Sequence, residues 1–370
     1  MIQLMANNSS YITNETANDD FKDVSLTFKV CLGILLVSVS SIGILGNVLT
    51  CAIVYRKTPM RSAINLLLTN IASADFILSA VTTSFTFYRL LEPYSAIHLN
   101  VCIIVSVVKD VMIAVTSYTL LVVSADRFLI IVYKKDRLCV ASAKTYTACV
   151  WCLSIVLALP QFISTIKKTV IYDNVFCSKV EPFYVNIQTA YTLIFLSVTF
   201  YFPLAVMFYL YASILRTVQL SSKRVSNHNG LAVSVSVTQY SNKMGLPPVA
   251  TPYRFTGDFN AKRRAFGTIL ILYLAFAGCW LPYIAKRTEI SLTGGYTSRD
   301  IDVSFVMMTI GLIKCALFPL ILFFRNKRMR TACFRWFSCR ICKPTGCLII
   351  KSRRISPKTV YECCDSETRI

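Results

Sequence analysis

The chain has 370 residues, 55% hydrophobic and 12% aromatic with only 15% charged, a balance that argues against a soluble domain. Its 39 Lys and Arg against 18 Asp and Glu give a net charge of +21. Of those 39, 27 fall in four segments, 56–61, 134–144, 216–264 and 325–369, which points to membrane orientation and away from nucleic acid.

Residues 1–26 form a polar tail without an apolar core, so no cleavable signal peptide is read there. Asn7, Asn8 and Asn14 each begin an Asn-x-Ser/Thr triplet and are candidate glycosylation sites on an outer tail. Seven apolar runs follow, at 27–55, 63–91, 99–132, 143–164, 184–216, 263–289 and 302–324. Each is near the roughly 20 residues that a membrane-spanning helix requires. Only helices and closed barrels satisfy the backbone in lipid, and these runs are too long and too continuously apolar for barrel strands. The expected fold is an all-α membrane protein: a seven-transmembrane helix bundle over 27–324, followed by a short amphipathic eighth helix. The basic segments alternate with the runs so as to fall on one side. By the positive-inside rule that side is cytoplasmic, which puts the N-terminus outside the cell membrane and the C-terminus inside.

Several runs carry residues that are costly or unusual in lipid. The first has Gly46-Asn47-Val48, and the second runs from Asn65-Leu66-Leu67-Leu68 to the carboxylate of Asp75. The third opens near Cys102 and closes on Asp126-Arg127-Phe128, 25 residues from Cys102 to Arg127. That separation is about 37 Å of helix, enough to put the two at opposite membrane faces. An ionisable pair at the end of an apolar helix needs a structural or functional reason, either an interfacial anchor or a switch. Trp151 and Pro160 follow in the fourth run, Pro203 and Tyr211 in the fifth, and Phe276 with Cys279-Trp280-Leu281-Pro282 in the sixth. The seventh contains Lys314 and Phe318-Pro319-Leu320-Ile321-Leu322.

Most of the fifteen cysteines lie within runs or on the reducing side. Cys102 and Cys177 are the two placed outside, and they are expected to form one disulfide; two free thiols are the alternative. The 217–261 loop, rich in Ser, Thr, Asn and Lys with little periodicity, reads as disordered. In the cytoplasmic tail, 325–370, residues 325–337 form a basic amphipathic segment expected to lie on the inner leaflet. Cys333, Cys339, Cys342 and Cys347 are palmitoylation candidates close to that surface. Thr368 and the terminal Ile370 suit a class I PDZ domain, which adds a peptide to its sheet edge and buries the last side chain.

These residues, in this order and at these separations, resemble the rhodopsin-like (class A) G-protein-coupled receptors over roughly 27 to 337. Met60-Arg61-Ser62-Ala63-Ile64-Asn65, Asp126-Arg127-Phe128-Leu129-Ile130-Ile131-Val132 and Arg264-Ala265-Phe266-Gly267-Thr268-Ile269-Leu270-Ile271-Leu272 look closest to a small orphan subgroup placed near the lysophospholipid receptors. The resemblance implies a receptor that transduces an extracellular signal to heterotrimeric G proteins. In it, Asp126 restrains Arg127 at rest, and Phe128, Tyr211, Lys262 and Arg263 belong to the same coupling end. Asp75, Phe276, Trp280, Pro282, Lys314 and Pro319 form the activation switch, with helix six swinging about Pro282.

Three departures stand out. Phe318-Pro319 replaces the family's Asn-Pro-x-x-Tyr, so Tyr211 loses its usual helix-seven partner. Lys314 stands where a neutral residue normally helps to hold sodium beside the helix-two Asp, and a Lys314–Asp75 salt bridge in place of the ion is expected. At the start of helix six, Lys262 replaces an acid that clamps the helix-three Arg in many members. A constitutively active or weakly coupling receptor, working mainly as a scaffold or partner, is therefore the alternative.

On the ligand side, Arg89, Lys109, Asp110, Trp280, Lys286 and Arg287 are pocket candidates. Lys109 stands where amine receptors carry an acid, so an anionic lipid or other acidic small molecule fits better than a monoamine. The alternative has these cations as interfacial anchors, or paired with Glu92, Asp110 and Glu289. No catalytic constellation, cofactor motif or metal site is read: the two histidines, His98 and His228, lie far apart. Lys314 precedes Pro319 by five residues, not the seven of a retinal-binding lysine, and no half-to-half repeat suggests a transporter.

Overall fold

The computed structural model describes residues 26–92, 99–135, 138–166, 172–173, 178–179, 185–231, 253–293 and 298–341. Seven helices there are long and apolar enough to cross a membrane. They are α1 (Leu26–Arg56), α2 (Ala63–Leu91), α3 (Leu99–Val132), α4 (Val140–Ile166), α5 (Val185–Leu196 continuing through Ser197–Tyr201 and Phe202–Leu231), α6 (Tyr253–Thr293) and α7 (Ser298–Arg325). The eighth, α8 (Lys327–Ile341), follows one residue after α7. A two-residue hairpin, Tyr172–Asp173 against Ser178–Lys179, lies between α4 and α5 and was not foreseen from the sequence. Large apolar side chains such as Leu45, Val156, Phe202, Phe208 and Leu274 stand exposed around the bundle. That is the belt a bilayer covers, and the protein is a multi-pass membrane protein.

The segment read as disordered is helical over 217–231 and 253–261, because α5 and α6 run past their apolar stretches. Each helix is already nucleated in the apolar layer, so every added residue gains a backbone hydrogen bond without a new nucleation cost. The amphipathic segment is likewise shifted: Asn326 interrupts the chain, and its Oδ1 accepts from the Arg328 and Met329 amides at 3.1 and 3.3 Å. That cap starts α8 in a new direction. Met329, fully buried, plugs α8 against Ile53, Val54 and Met60, and Lys57 Nζ donates to the Ala332 carbonyl at 3.3 Å.

Two helices contain a π-helical stretch, Leu78–Thr83 in α2 and Ser197–Tyr201 in α5. Such a stretch loosens local carbonyls, which need other donors in lipid. Hydroxyls supply them. Ser40 Oγ of α1 donates to the Ser79 carbonyl at 3.1 Å and Thr83 Oγ1 to the Leu78 carbonyl at 3.3 Å. Tyr118 Oη of α3 donates to the Val198 carbonyl at 3.1 Å.

Small residues set the close approaches. A Cβ on Gly46 would lie 2.7 Å from Pro319 Cγ, so α1 and α7 meet backbone to ring there. A Cβ on Gly311 would lie 2.7 Å from Trp280 Cε3, so the indole of α6 lies on the α7 backbone. Asn70 ties three helices: its Nδ2 donates to Thr119 Oγ1 of α3 at 2.8 Å, and Trp151 Nε1 of α4 donates to its Oδ1 at 2.7 Å.

Candidate functional site

Three clusters of sequence-picked residues lie along the bundle. At one end of α3, Arg127 donates to Asp126 Oδ2 from Nε at 3.0 Å and from Nη2 at 2.5 Å. The pair is largely buried, with side-chain exposures of 14% and 6%. Both donors converge on one carboxylate oxygen, a charge-assisted contact that holds the guanidinium against its own helix. One turn earlier on α3, Ser124 Oγ lies 2.7 Å from Tyr211 Oη of α5. Tyr211 stacks on Tyr273 and Phe266 of α6 at ring separations of 5.0 and 5.8 Å. Ser124 thus occupies the hydroxyl that a helix-seven tyrosine would otherwise take. Phe128 stands edge-on to Tyr133. Lys262 and Arg263 lie on α6.

The middle cluster sits where α2, α6 and α7 converge. Lys314 Nζ lies 2.6 Å from Asp75 Oδ1, and both side chains are buried, 3% and 0% exposed. Phe318 and Phe276 place their rings 5.4 and 5.9 Å from the same ammonium. Asn47 Nδ2 donates to the Gly43 and Cys315 carbonyls at 2.8 and 3.0 Å, fastening α1 to α7 beside the pair. Charges this deep are tolerable only as a pair with further polar and aromatic contacts. Above it, Trp280 meets Tyr283 edge-on at 5.9 Å, astride Pro282.

The end of the bundle carrying Cys102 holds the remaining cations, and the structure sorts them. Arg287 makes a bidentate bridge to Asp110, Nη1 to Oδ1 at 2.6 Å and Nη2 to Oδ2 at 2.9 Å. Lys286 bonds Glu289 at 3.2 Å near the surface. Arg89 and Lys109 instead line a small, partly open cavity walled by α2, α3 and α7. Asp110, Trp280, Lys286 and Arg287 do not line it. Lys109 Nζ donates to Tyr283 Oη at 2.5 Å and lies 4.9 Å from that ring's centre. Cys102, which also lines the cavity, is disulfide-bonded. Cys177, Asn7, Asn8, Asn14, Cys342, Cys347, Thr368 and Ile370 lie outside the described residues, and Cys339 is described only as backbone of α8. Cys333 is half-buried on α8, and burial pushes its thiol above the ordinary range.

The model of the 7-transmembrane receptor (rhodopsin family) matches residues 46–322. The chain belongs to that family. It is 31% identical to a high-affinity lysophosphatidic acid receptor of Xenopus laevis, over 94% of this chain and 92% of the relative. It is 28% identical to two human proteins named probable G-protein coupled receptor 63 and 45. The match covers 97% of this chain in both cases, with 86% of the first and 95% of the second.

Four residues that this receptor uses in its clusters escaped the reading of its sequence: Asn70, Thr82, Ser124 and Tyr283. Each is an ordinary polar residue inside an apolar run. For two of them the available signal was helical phase: Ser124 lies three residues before Arg127 and Tyr283 three after Trp280, so each is about one turn from a residue already singled out, whereas Asn70, and Thr82 in the cavity wall, carried no such signal.

Proposed function

We propose that this receptor carries an extracellular ligand signal to heterotrimeric G proteins. The Cys102 end then faces outward and the Arg127 end the cytoplasm, with an outer, glycosylated N-terminal tail. The placement of Lys and Arg supports that orientation. The observation that carries the reading is the buried Asp126–Arg127 contact at the inner end of α3. Ligand binding tilts α6 about Pro282, the Tyr211–Tyr273 stack parts, and Arg127 leaves Asp126 for the incoming G protein. The ligand is an anionic lipid or another acidic small molecule. Arg89 and Lys109 in the outer cavity support this, as does likeness to a receptor named for lysophosphatidic acid. Lys314 takes the place of a mobile cation beside Asp75. Cys333 and its neighbours anchor α8 when acylated. The tail from Thr368 to Ile370 recruits a PDZ domain, which is tested by whether C-terminal amidation abolishes capture of the last ten residues.

A second reading, a weakly or basally coupling receptor acting mainly as a scaffold, is favoured by the Lys314–Asp75 bond, which locks α7 to α2. Second-messenger output in transfected cells separates the two. The receptor is expected to exceed empty vector, at rest or with added lysophosphatidic acid, and Arg127→Ala to return output to the vector level at matched surface expression. Output from the unmutated receptor no greater than vector, or unaffected by Arg127→Ala, contradicts coupling and favours the scaffold.

A further inference from the structure

Two consecutive residues of α3 grip α6 one turn apart. Lys109 donates to Tyr283 Oη at 2.5 Å, and Asp110 accepts both Arg287 bonds, at 2.6 and 2.9 Å. The Arg287–Asp110 side chains are 17% and 1% exposed, so solvent screens the pair little, and its bidentate form fixes angle as well as distance. Tyr201 Oη of α5 lies 3.0 Å from Thr288 Oγ1, a neutral contact about half as strong. The opposite end of α6 is built differently. Arg127 turns to Asp126 of its own helix, Lys262 brings a cation where an acid would clamp it, and the rings of Tyr211, Phe266 and Tyr273 pack α5 on α6.

The helix is continuous over Tyr253–Thr293, with Pro282 inside it. Arg287 lies five residues beyond Pro282 and Phe266 sixteen before it, arms of about 7.5 and 24 Å. A rod turning about Pro282 so that Phe266 swings outward by about 5.4 Å, one helical pitch, carries Arg287 about 2 Å the other way, toward α3. At its present hydrogen-bond distances the Asp110–Arg287 pair has no slack to close up. Arg287 must therefore leave Asp110 before the rod can turn. Tyr283 is next to Pro282 and moves little in such a turn. Lys109 thus fixes the pivot, and Asp110, gripping a turn farther out, fixes the tilt.

Resting on the reading of the chain as a receptor whose α6 tilts about Pro282, we infer that the Asp110–Arg287 pair is a strut that holds α6 in its resting tilt from the Cys102 end of the bundle. The restraint sits on the short arm of the lever, so a small displacement at Arg287 becomes a movement about three times larger beside Arg127. The Lys286–Glu289 pair has no part in it, because both residues lie on α6 and move together.

The test uses purified full-length receptor in zwitterionic nanodiscs, without G protein or added ligand. Spin labels on noncanonical residues at Lys144 of α4 and Ala261 of α6 report, by pulsed electron resonance, how far the inner end of α6 stands from the bundle. The unmutated receptor is expected to show one main distance. Asp110→Asn and Arg287→Gln should each add a longer one, raising the ratio of long to short by about tenfold or more for the lost charged contact. Glu289→Gln, which breaks a pair within α6, should leave the distances unchanged. Gly46→Ala, which disturbs α1 against α7, should lower the thermal midpoint without adding the longer distance. An unchanged distance in either strut variant would mean that α6 flexes at Pro282 or is held elsewhere, and overturns the assignment. The same lengthening in Glu289→Gln or Gly46→Ala overturns it too, as general loosening. Arg287→Gln strands the buried Asp110; should it not be recovered folded, Asp110→Asn decides alone, because Arg287 then turns its charge to the head groups. No G protein enters the readout, so an unmoved α6 leaves Arg127-dependent signalling standing, and absence of that signalling leaves the strut standing.

Discussion

Removing the charge of Asp75 leaves Lys314 stranded between Phe276 and Phe318 with nothing to balance it. Breaking one side of a buried pair costs about 3–5 kcal/mol, so Asp75→Asn is expected to lower the thermal midpoint by several degrees. Exchanging sodium for choline should leave the unmutated receptor unmoved, because the ammonium already stands 2.6 Å from the carboxylate. Lys314→Asn should gain a sodium-dependent rise in midpoint; a rise in the unmutated receptor is the result that sinks the exchange. Single residues of this kind were legible because charge inside an apolar run is expensive and conspicuous. Which cation meets which acid was not. Arg287, Lys286 and Lys109 stood together as pocket candidates, and only the crossing of α3 and α6 assigns Asp110 to Arg287 and Tyr283 to Lys109.

Among elements, α7 is the one whose seat depends most on small residues. Gly46 faces Pro319 and Gly311 faces Trp280, each closer than a Cβ allows. Gly46→Ala and Gly311→Ala should therefore each destabilise by about 1–3 kcal/mol through overpacking. Gly278→Ala, with nothing within 4 Å of the added methyl, should be neutral or slightly stabilising. Thermal midpoints of the three variants check this ranking, and an equal loss in all three would mean that helix flexibility, not contact, sets the effect. Helix count and rough bounds were readable from hydropathy. The helical ends of α5 and α6 beyond the apolar layer were not, since a polar run gives no periodic signal whether it propagates a helix or leaves one. The π-helical stretches were equally silent, because their hydroxyl partners sit on other helices.

At the scale of the molecule, the clusters form one column. The Lys109 cavity leads through Tyr283 and Trp280 to α7, and Lys314–Asp75 lies below. The Ser124–Tyr211 contact stands next to Arg127. The family was legible from spaced landmarks on six helices, whereas which cation meets which acid emerged only once the bundle brought α3 and α6 together. The central claim is that the Arg127 end acts on a G protein, and nucleotide exchange by purified heterotrimers with receptor in nanodiscs tests it most directly. The unmutated receptor, with or without added lysophosphatidic acid, is predicted to accelerate exchange on at least one G-protein class, and Arg127→Ala to abolish the acceleration while retaining its thermal midpoint. Exchange no faster than with empty nanodiscs across all classes, or acceleration undiminished by Arg127→Ala, would contradict it.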